Sequence, residues 1–154
     1  MLKRTGLLGV CVSFVFLAGA SLFAEEPAGT LQFRVAVDDE QPGWKQMELP
    51  GTDAPIFVSS EAALDGDDIE KVSFYNDSTG NPVIGLTLTD DGAQAMEATT
   101  SQNFKKKLAI LLNGKVVAAP IIQATISKDV QISGPFDRGD LLSFFHAIVL
   151  REVP

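Results

Sequence analysis

An Asn-Gly pair between two apolar runs constrains the fold of this chain more than any other feature. Residues 108–112 and 116–119 are apolar, and Asn113 and Gly114 lie between them. Both central residues of a type I′ turn need positive φ, which Asn and Gly tolerate, so the pair predicts a two-residue β-hairpin. Pro120 lacks a backbone donor and is expected to end this ladder or mark a bulge. The hairpin requires an antiparallel sheet around it.

Further strands are predicted on both sides of this hairpin. Residues 31–37 alternate apolar and polar side chains with period two, and residues 82–88 are rich in β-branched side chains. Shorter strands are expected at residues 44–50, 56–59, 72–75, 121–126 and 130–133.

Two amphipathic segments predict helices. Thr89 or Asp90 can cap the first helix, and its buried face is expected to consist of Ala93, Met96 and Thr100. Asp137 can cap the second helix, whose apolar stripe consists of Leu141, Leu142, Phe145, Ile148 and Val149. The order of strands, helix, hairpin, strand and helix predicts the α+β class, a mostly antiparallel sheet with two helices packed on one face.

The first 24 residues have the layout of a secretory signal peptide. Lys3 and Arg4 are the only charges before Glu25, and the run between them and Glu25 is apolar with small residues near its end. Cleavage is expected between Ala24 and Glu25, with residues 18–20 as a second candidate site. Residues 25–30 would then be a short tether, and residues 31–154 a single domain in the periplasm.

Two other interpretations of this N-terminal run stay open. The run approaches the roughly 20 residues that span a bilayer, so it could remain uncut as an anchor. Cys11 could instead indicate a lipoprotein signal, although the residues before it fit that motif poorly. No second apolar run is long enough to span a membrane, so no span is expected after residue 24.

Charge excludes one class of partner. The net charge of the sequence is −8, and without residues 1–24 there are 20 acidic and 10 basic residues, a net charge of −10. Such a surface repels phosphates, so no nucleic-acid partner is expected. The only basic cluster, Lys105-Lys106-Lys107, is interpreted as a solvated connection from helix to strand. Cys11 is the only cysteine, so no disulfide or thiolate chemistry is expected beyond it.

Residues that could perform catalysis or bind a metal are scattered. His146 is the only histidine and is interpreted as a surface or flanking helix residue. The Asp65-Gly66-Asp67-Asp68 run could be a weak calcium site, but it lacks the regular spacing of an EF-hand, and a solvated turn is favoured. Asp90-Asp91 is explained by helix capping, and Trp44 by packing rather than recognition. We therefore expect no catalytic residue, no cofactor and no metal.

Short motifs follow one another in a fixed order through the second half of the chain. Their positions are Gly92, Ala93, Thr100, Asn113, Gly114, Pro120, Ser133 and Gly134. This series resembles the head subdomain of the first periplasmic domain of SecD, an auxiliary membrane subunit of the Sec protein-export machinery. The resemblance is best at residues 82–150, and the strand at residues 31–35 extends it. Met96 stands where the family usually has Phe.

The resemblance implies an exported, non-catalytic domain that binds polypeptide or a protein partner in the periplasm and is linked to protein export. In SecD the head lies between transmembrane helices that, with a partner subunit, couple proton flow to protein movement. This sequence contains no such helices, so we expect the binding role without the motor. The alternative is an envelope interaction or structural module unrelated to translocation. An enzyme is disfavoured.

Overall fold

The computed structural model describes residues 30–134, 136 and 138–149. The predicted signal peptide, the cleavage site at Ala24 and Glu25, and Asp137 lie outside the described residues. In chain order the elements are β1 (Leu31–Val37), β2 (Lys45–Glu48), β3 (Pro55–Val58), β4 (Leu64–Asp65), a 3₁₀ turn (Gly66–Asp68), β5 (Ile69–Asn76), β6 (Pro82–Leu88), α1 (Asp90–Gln102), β7 (Lys107–Leu112), β8 (Lys115–Ala118), β9 (Asp129–Ser133) and α2 (Arg138–Val149).

The strands form two antiparallel sheets. Sheet A has the order β2-β3-β1-β7-β8, and the short β4 also pairs with β1. Sheet B has the order β5-β6-β9. The pairing of β1 with β7, from Leu31 opposite Leu112 to Ala36 opposite Lys107, forms the centre of sheet A. The predicted α+β class with mostly antiparallel strands and two helices is confirmed, and its strands are divided between two sheets.

One hydrophobic core joins both sheets and both helices. Strands contribute the side chains of alternate residues, while Met96 enters from α1 and Phe144 from α2. Its buried members are Leu31, Phe33, Leu64, Ile84, Leu86, Leu88, Met96, Leu108, Ile110, Leu112, Ile122, Val130, Ile132 and Phe144. Each fully buried side chain of this size contributes about 1.5–3 kcal/mol relative to exposure, so this core is the main source of stability.

A second apolar cluster lies on the other face of sheet A. It consists of Ala36, Ile56, Val58, Ala109, Leu111 and Val116. Strand β7 therefore has no solvent-facing side, because Leu108 and Ile110 face the main core while Ala109 and Leu111 face this cluster. Burial on both faces explains why residues 108–112 are continuously apolar instead of alternating.

The buried face of α2 differs from the predicted stripe. Phe144 is fully buried, and its ring meets that of Phe136 edge-on with centroids 5.8 Å apart. Leu142 and Phe145 are 55% and 42% exposed, so their assignment to the buried stripe is wrong. The helix instead packs along Leu141, Phe144 and Ile148, the spacing of one helical face.

The predicted strand at residues 121–126 does not form. Only an isolated bridge between Lys107 and Ile121 is present there. Pro120 accepts a hydrogen bond from the N–H of Leu108 through its carbonyl (2.8 Å), but it has no N–H with which to continue a ladder. The N–H of Ile122 donates to the carbonyl of Lys106 (2.8 Å), so the segment is held against the start of β7 without becoming a strand.

Candidate functional site: a free strand edge

Strand β5 forms an open edge of sheet B. Within the part of the chain that the structure describes, β6 is the only strand paired with it, from Ile69 opposite Leu88 to Asn76 opposite Pro82. The strand is eight residues long and most of its side chains are exposed. A long exposed edge presents unpaired N–H and C=O groups to which another extended chain can bind.

The register of β5 determines which of its backbone groups are free. Just beyond the strand, the N–H of Asp77 donates to the carbonyl of Asn81 (2.9 Å), so these two residues form a hydrogen-bonded pair. Hydrogen-bonded pairs alternate with non-hydrogen-bonded pairs along an antiparallel ladder. Counting back from Asp77, Tyr75 and Ser73 are therefore the residues whose backbone groups bond to β6. The intervening residues direct their N–H and C=O groups away from β6: Val72, Phe74 and Asn76.

Pro82 agrees with this alternation. It stands opposite Asn76, a position at which β6 donates no hydrogen bond to β5. Proline has no N–H, so in a central strand it is tolerated at the strand's first residue, which is the position of Pro82.

Two adjacent aromatic side chains flank the free edge, one on each face of sheet B. Phe74 lies opposite Ile84, whose side chain belongs to the main core, and Phe74 remains 41% exposed. Tyr75 points to the outer face and is 42% exposed. A Cβ at Gly85 would lie 3.1 Å from Cε1 of Tyr75 and 2.5 Å from Oγ of Ser73, so a larger residue there would displace these two side chains.

Asp77 fixes the turn that joins β5 to β6. Its Oδ1 accepts hydrogen bonds from the Thr79 hydroxyl (2.7 Å), the Thr79 N–H (2.8 Å) and the Asn81 N–H (2.9 Å). These bonds, the one from the Thr79 hydroxyl foremost, lower the pKa of Asp77 to about 2 because they stabilise the charged carboxylate. The turn sets the register of the hairpin, and the register sets which backbone groups of β5 are free.

A second concave surface lies on sheet A. An open groove of about 900 Å³ runs between the β2–β3 hairpin and the turn that joins β7 to β8. Met47, Leu49 and Val116 give it apolar walls next to the second cluster. The ionisable side chains that line this groove are exposed: Lys45, Glu48, Asp53 and Lys115.

The motif residues of α1 pack against or cap neighbouring parts of the fold. Gly92 is buried where the 3₁₀ turn meets the helix, and a Cβ there would lie 2.6 Å from the carbonyl oxygen of Asp68. Thr89 caps the helix as expected, because its Oγ1 accepts a hydrogen bond from the Gly92 N–H (3.0 Å). Ala93 packs against the main core, and Thr100 is fully buried.

The other motif residues lie at turns and strand ends. Asn113 and Gly114 have φ of 52° and 74°, which confirms the predicted turn with two positive φ values. Pro120 follows β8, and Ser133 ends β9 opposite Val83. A Cβ at Gly134 would lie 3.0 Å from the Phe136 ring. None of the motif residues lies on β5.

The acidic run at residues 65–68, just before β5, caps the 3₁₀ turn. Oδ1 of Asp65 accepts a hydrogen bond from the N–H of Asp67 (2.8 Å), and Oδ2 of Asp68 accepts one from the N–H of Asp65 (3.0 Å). Asp65 also accepts a hydrogen bond from the Asp68 N–H, so Asp65 and Asp68 form a reciprocal capping box around the 3₁₀ turn. Among residues 30–134, 136 and 138–149, no group of three His, Cys, Asp or Glu is placed to hold a metal ion.

The remaining candidates are dispersed. Asp90 pairs with Lys128 (2.7 Å), and this hydrogen-bonded ion pair lowers the pKa of Asp90 and raises that of Lys128. His146 is exposed on α2, and Trp44 is half-buried before β2. Of the basic cluster, Lys107 pairs with Asp38 at the start of β7. In the described ranges, neither helix has the length and apolar composition needed to cross a bilayer.

The sequence predicts a strand at residues 72–75, but no motif marks Phe74 and Tyr75 as functional residues. The sequence does indicate that one of these two residues is exposed or packs outside the main core, because neighbouring residues of a strand point to opposite faces. Two adjacent aromatic residues therefore cannot both enter one core, and at least one of them must pack elsewhere or remain exposed.

Comparisons with known proteins identify the family that this chain resembles. A family model described as the SecDF P1 head subdomain matches residues 44–142. The protein translocase subunit SecD of Sebaldella termitidis is 32% identical over 143 residues, which cover 87% of this chain and 33% of that protein. The SecD subunit of Aquifex aeolicus is 34% identical over 90 residues, which cover 57% of this chain and 18% of that protein. The chain thus spans about a third or less of the length of these relatives.

Solved structures agree with this assignment. SecDF in its super-membrane-facing form superposes with a TM-score of 0.62 at 26% identity, over 82% of this chain and 19% of that chain. Another structure, of the membrane component SecDF that enhances protein export, has the same fold with a TM-score of 0.60 at 22% identity, over 79% of this chain and 62% of that chain. The resemblance noted in the motif series is confirmed: the chain belongs to the SecDF P1 head subdomain family.

Proposed function

We propose that this chain is a non-catalytic, periplasmic domain linked to protein export, and that it binds polypeptide as an added strand along β5. The observation that carries the proposal is the edge of β5, which no other strand of the described residues pairs with, and where Val72, Phe74 and Asn76 direct their backbone groups away from β6. An extended peptide can pair with such an edge through its own backbone, so binding does not depend on one particular sequence.

The link to export rests on the relatives. SecD proteins are protein translocase subunits, and a third of one of them aligns with most of this chain. A domain exported by the predicted signal peptide would meet polypeptides on the outer side of the inner membrane. There an unfolded chain has not yet paired its own backbone groups, which makes it suitable for strand addition.

The edge can be blocked without weakening the hairpin. Phe74→Pro removes an N–H that faces away from β6, and prolines are tolerated at such edge positions. Phe74→Val is the matched control, because it removes the aromatic ring but keeps the N–H. Both variants of the full sequence are purified from the periplasmic or membrane fraction, and their thermal unfolding is compared to verify that they fold.

Binding of a fluorescent, permanently unfolded secreted protein is then measured by anisotropy. We expect Phe74→Pro to bind at least about tenfold more weakly than Phe74→Val, about 1.4 kcal/mol. Equal binding by these two variants would overturn strand addition at β5. If the unmodified chain does not bind unfolded protein but co-purifies with one folded envelope protein, polypeptide binding is overturned and the envelope interaction module is favoured.

A further inference from the structure

We infer that the free edge of β5 selects extended segments in which two bulky apolar residues are adjacent, rather than segments that alternate apolar and polar residues. This inference rests on the proposed function and specifies the class of polypeptide that binds. It follows from Phe74 and Tyr75, which are consecutive, half exposed and on opposite faces of the same edge strand.

The geometry of an added antiparallel strand assigns one peptide residue to each aromatic ring. The residue opposite Phe74 would form a hydrogen-bonded pair, with Cα atoms about 5.5 Å apart, on the inner face. The next residue of the peptide would lie opposite Tyr75 in a non-hydrogen-bonded pair, with Cα atoms about 4.5 Å apart, on the outer face. Adjacent peptide residues point to opposite faces, so an adjacent bulky pair can contact both rings, whereas two bulky residues separated by one residue share a face and can contact only one ring.

Apolar side chains lie next to this edge on both faces of sheet B. On the inner face Phe74 continues the row formed by Ile84 and Ile132. On the outer face Tyr75 lies next to Val83, which is only 3% exposed. A peptide with one polar face would cover the apolar side chains of one face and place polar groups against those of the other, so it would leave one of the two rings uncovered.

Charge distinguishes the occupant from a second copy of this chain. A second copy would offer the same aromatic pair, but each copy has a net charge of −8, and like-charged chains repel. A neutral or basic segment meets no such repulsion. The occupant is therefore an extended polypeptide with adjacent bulky apolar residues and without acidic ones.

Two peptides of identical composition test the inference. Both are nine residues long, capped and flanked by Lys; one has Phe and Val adjacent at its centre, and the other has them separated by one Thr. We expect the unmodified chain to bind the adjacent peptide about fivefold or more tightly by fluorescence anisotropy. Tyr75→Ser should remove this preference, whereas Phe104→Ser, a control at a 55% exposed aromatic residue outside β5, should keep it.

The outcomes separate this inference from the proposed function. If both peptides bind equally and Phe74→Pro still weakens their binding, strand addition at β5 stands and the selectivity is overturned. If neither peptide nor an unfolded protein binds, the proposed function itself fails. If sedimentation shows a dimer that Phe74→Pro dissociates, a second copy occupies the edge and the inference is overturned.

Discussion

Thr100 and Ile126 are joined by a hydrogen bond of 2.9 Å from the Ile126 N–H to the Thr100 hydroxyl, 26 residues apart in the chain. The same hydroxyl donates to the carbonyl of Met96 (2.8 Å), and the Thr100 side chain is fully buried. One buried side chain therefore ties α1 to the irregular segment between β8 and β9. This position is also one of the family motif residues.

Replacement of Thr100 by Val should leave the Ile126 N–H without an acceptor in a part-buried place. We expect a loss of about 1–3 kcal/mol in the free energy of unfolding, measured by urea denaturation. Thr100→Ser keeps the hydroxyl and should lose less. A Val variant as stable as the Ser variant would contradict the role of this hydrogen bond.

Gly92→Ala should destabilise the chain although alanine favours helices. The added Cβ would lie 2.6 Å from the carbonyl oxygen and 2.8 Å from Cβ of Asp68, so the 3₁₀ turn must move away from α1. We expect a net loss of about 1–3 kcal/mol by thermal or urea unfolding. Gln94→Ala, at an exposed position of the same helix, should change stability by less than about 0.5 kcal/mol. An unchanged Gly92→Ala variant would show that the turn shifts freely.

Asp77 should make stability depend on pH in the acid range. Its pKa is about 2 in the folded chain against an ordinary 3.8. A lowered pKa means that the carboxylate stabilises the fold fully above the ordinary value, and this contribution is lost as pH falls through the interval towards about 2. Asp77→Asn should therefore be less stable than the unmodified chain near neutral pH, and the difference should shrink as acid is added.

The control for this titration is Asp39→Asn, which makes the same charge change at an exposed residue of another turn. Melting temperatures of all three proteins are followed from about pH 6 to about pH 2. A constant difference between Asp77→Asn and the unmodified chain over that range would contradict the assigned pKa.

Asn113 should contribute to stability both through its backbone conformation and through its side chain. It has a φ of 52°, and its Oδ1 accepts a hydrogen bond from the Thr30 N–H (3.2 Å) at the start of β1. Asn113→Ala loses that bond and strains a positive φ, for an expected cost of about 1–2 kcal/mol. Asn113→Gly loses the bond without strain, so its free energy of unfolding in urea should lie between those of the unmodified chain and of Asn113→Ala. Equal stability of the Ala and Gly variants would exclude the strain.

Local patterns predicted much of the fold because they depend on neighbouring residues alone. Strands β1 and β6 match the predicted ranges, residues 31–37 and 82–88, and Thr89 caps α1 as expected. The Asn113-Gly114 turn was predictable because its backbone requirement is met by very few residue pairs. The family motifs were recognisable for the same reason, since they mark turns, close approaches and buried bonds.

The remaining features depend on long-range pairing, which local patterns do not encode. That β6 pairs with β9 and β5, while β7 pairs with β1, decides that there are two sheets and that β5 is at an edge. For the same reason Phe145 was expected inside and Phe144 was not: both positions suit an amphipathic helix, and only the packing of α2 on the core selects one.

The burial of β7 on both faces has a consequence for how the chain opens. Residues that exchange their amide hydrogens without global unfolding need a nearby surface to which they can open locally. The amides of β7 have none, because the main core lies on one side of the strand and the second cluster on the other. These amides should therefore exchange most slowly, and only when global unfolding separates both clusters from the strand.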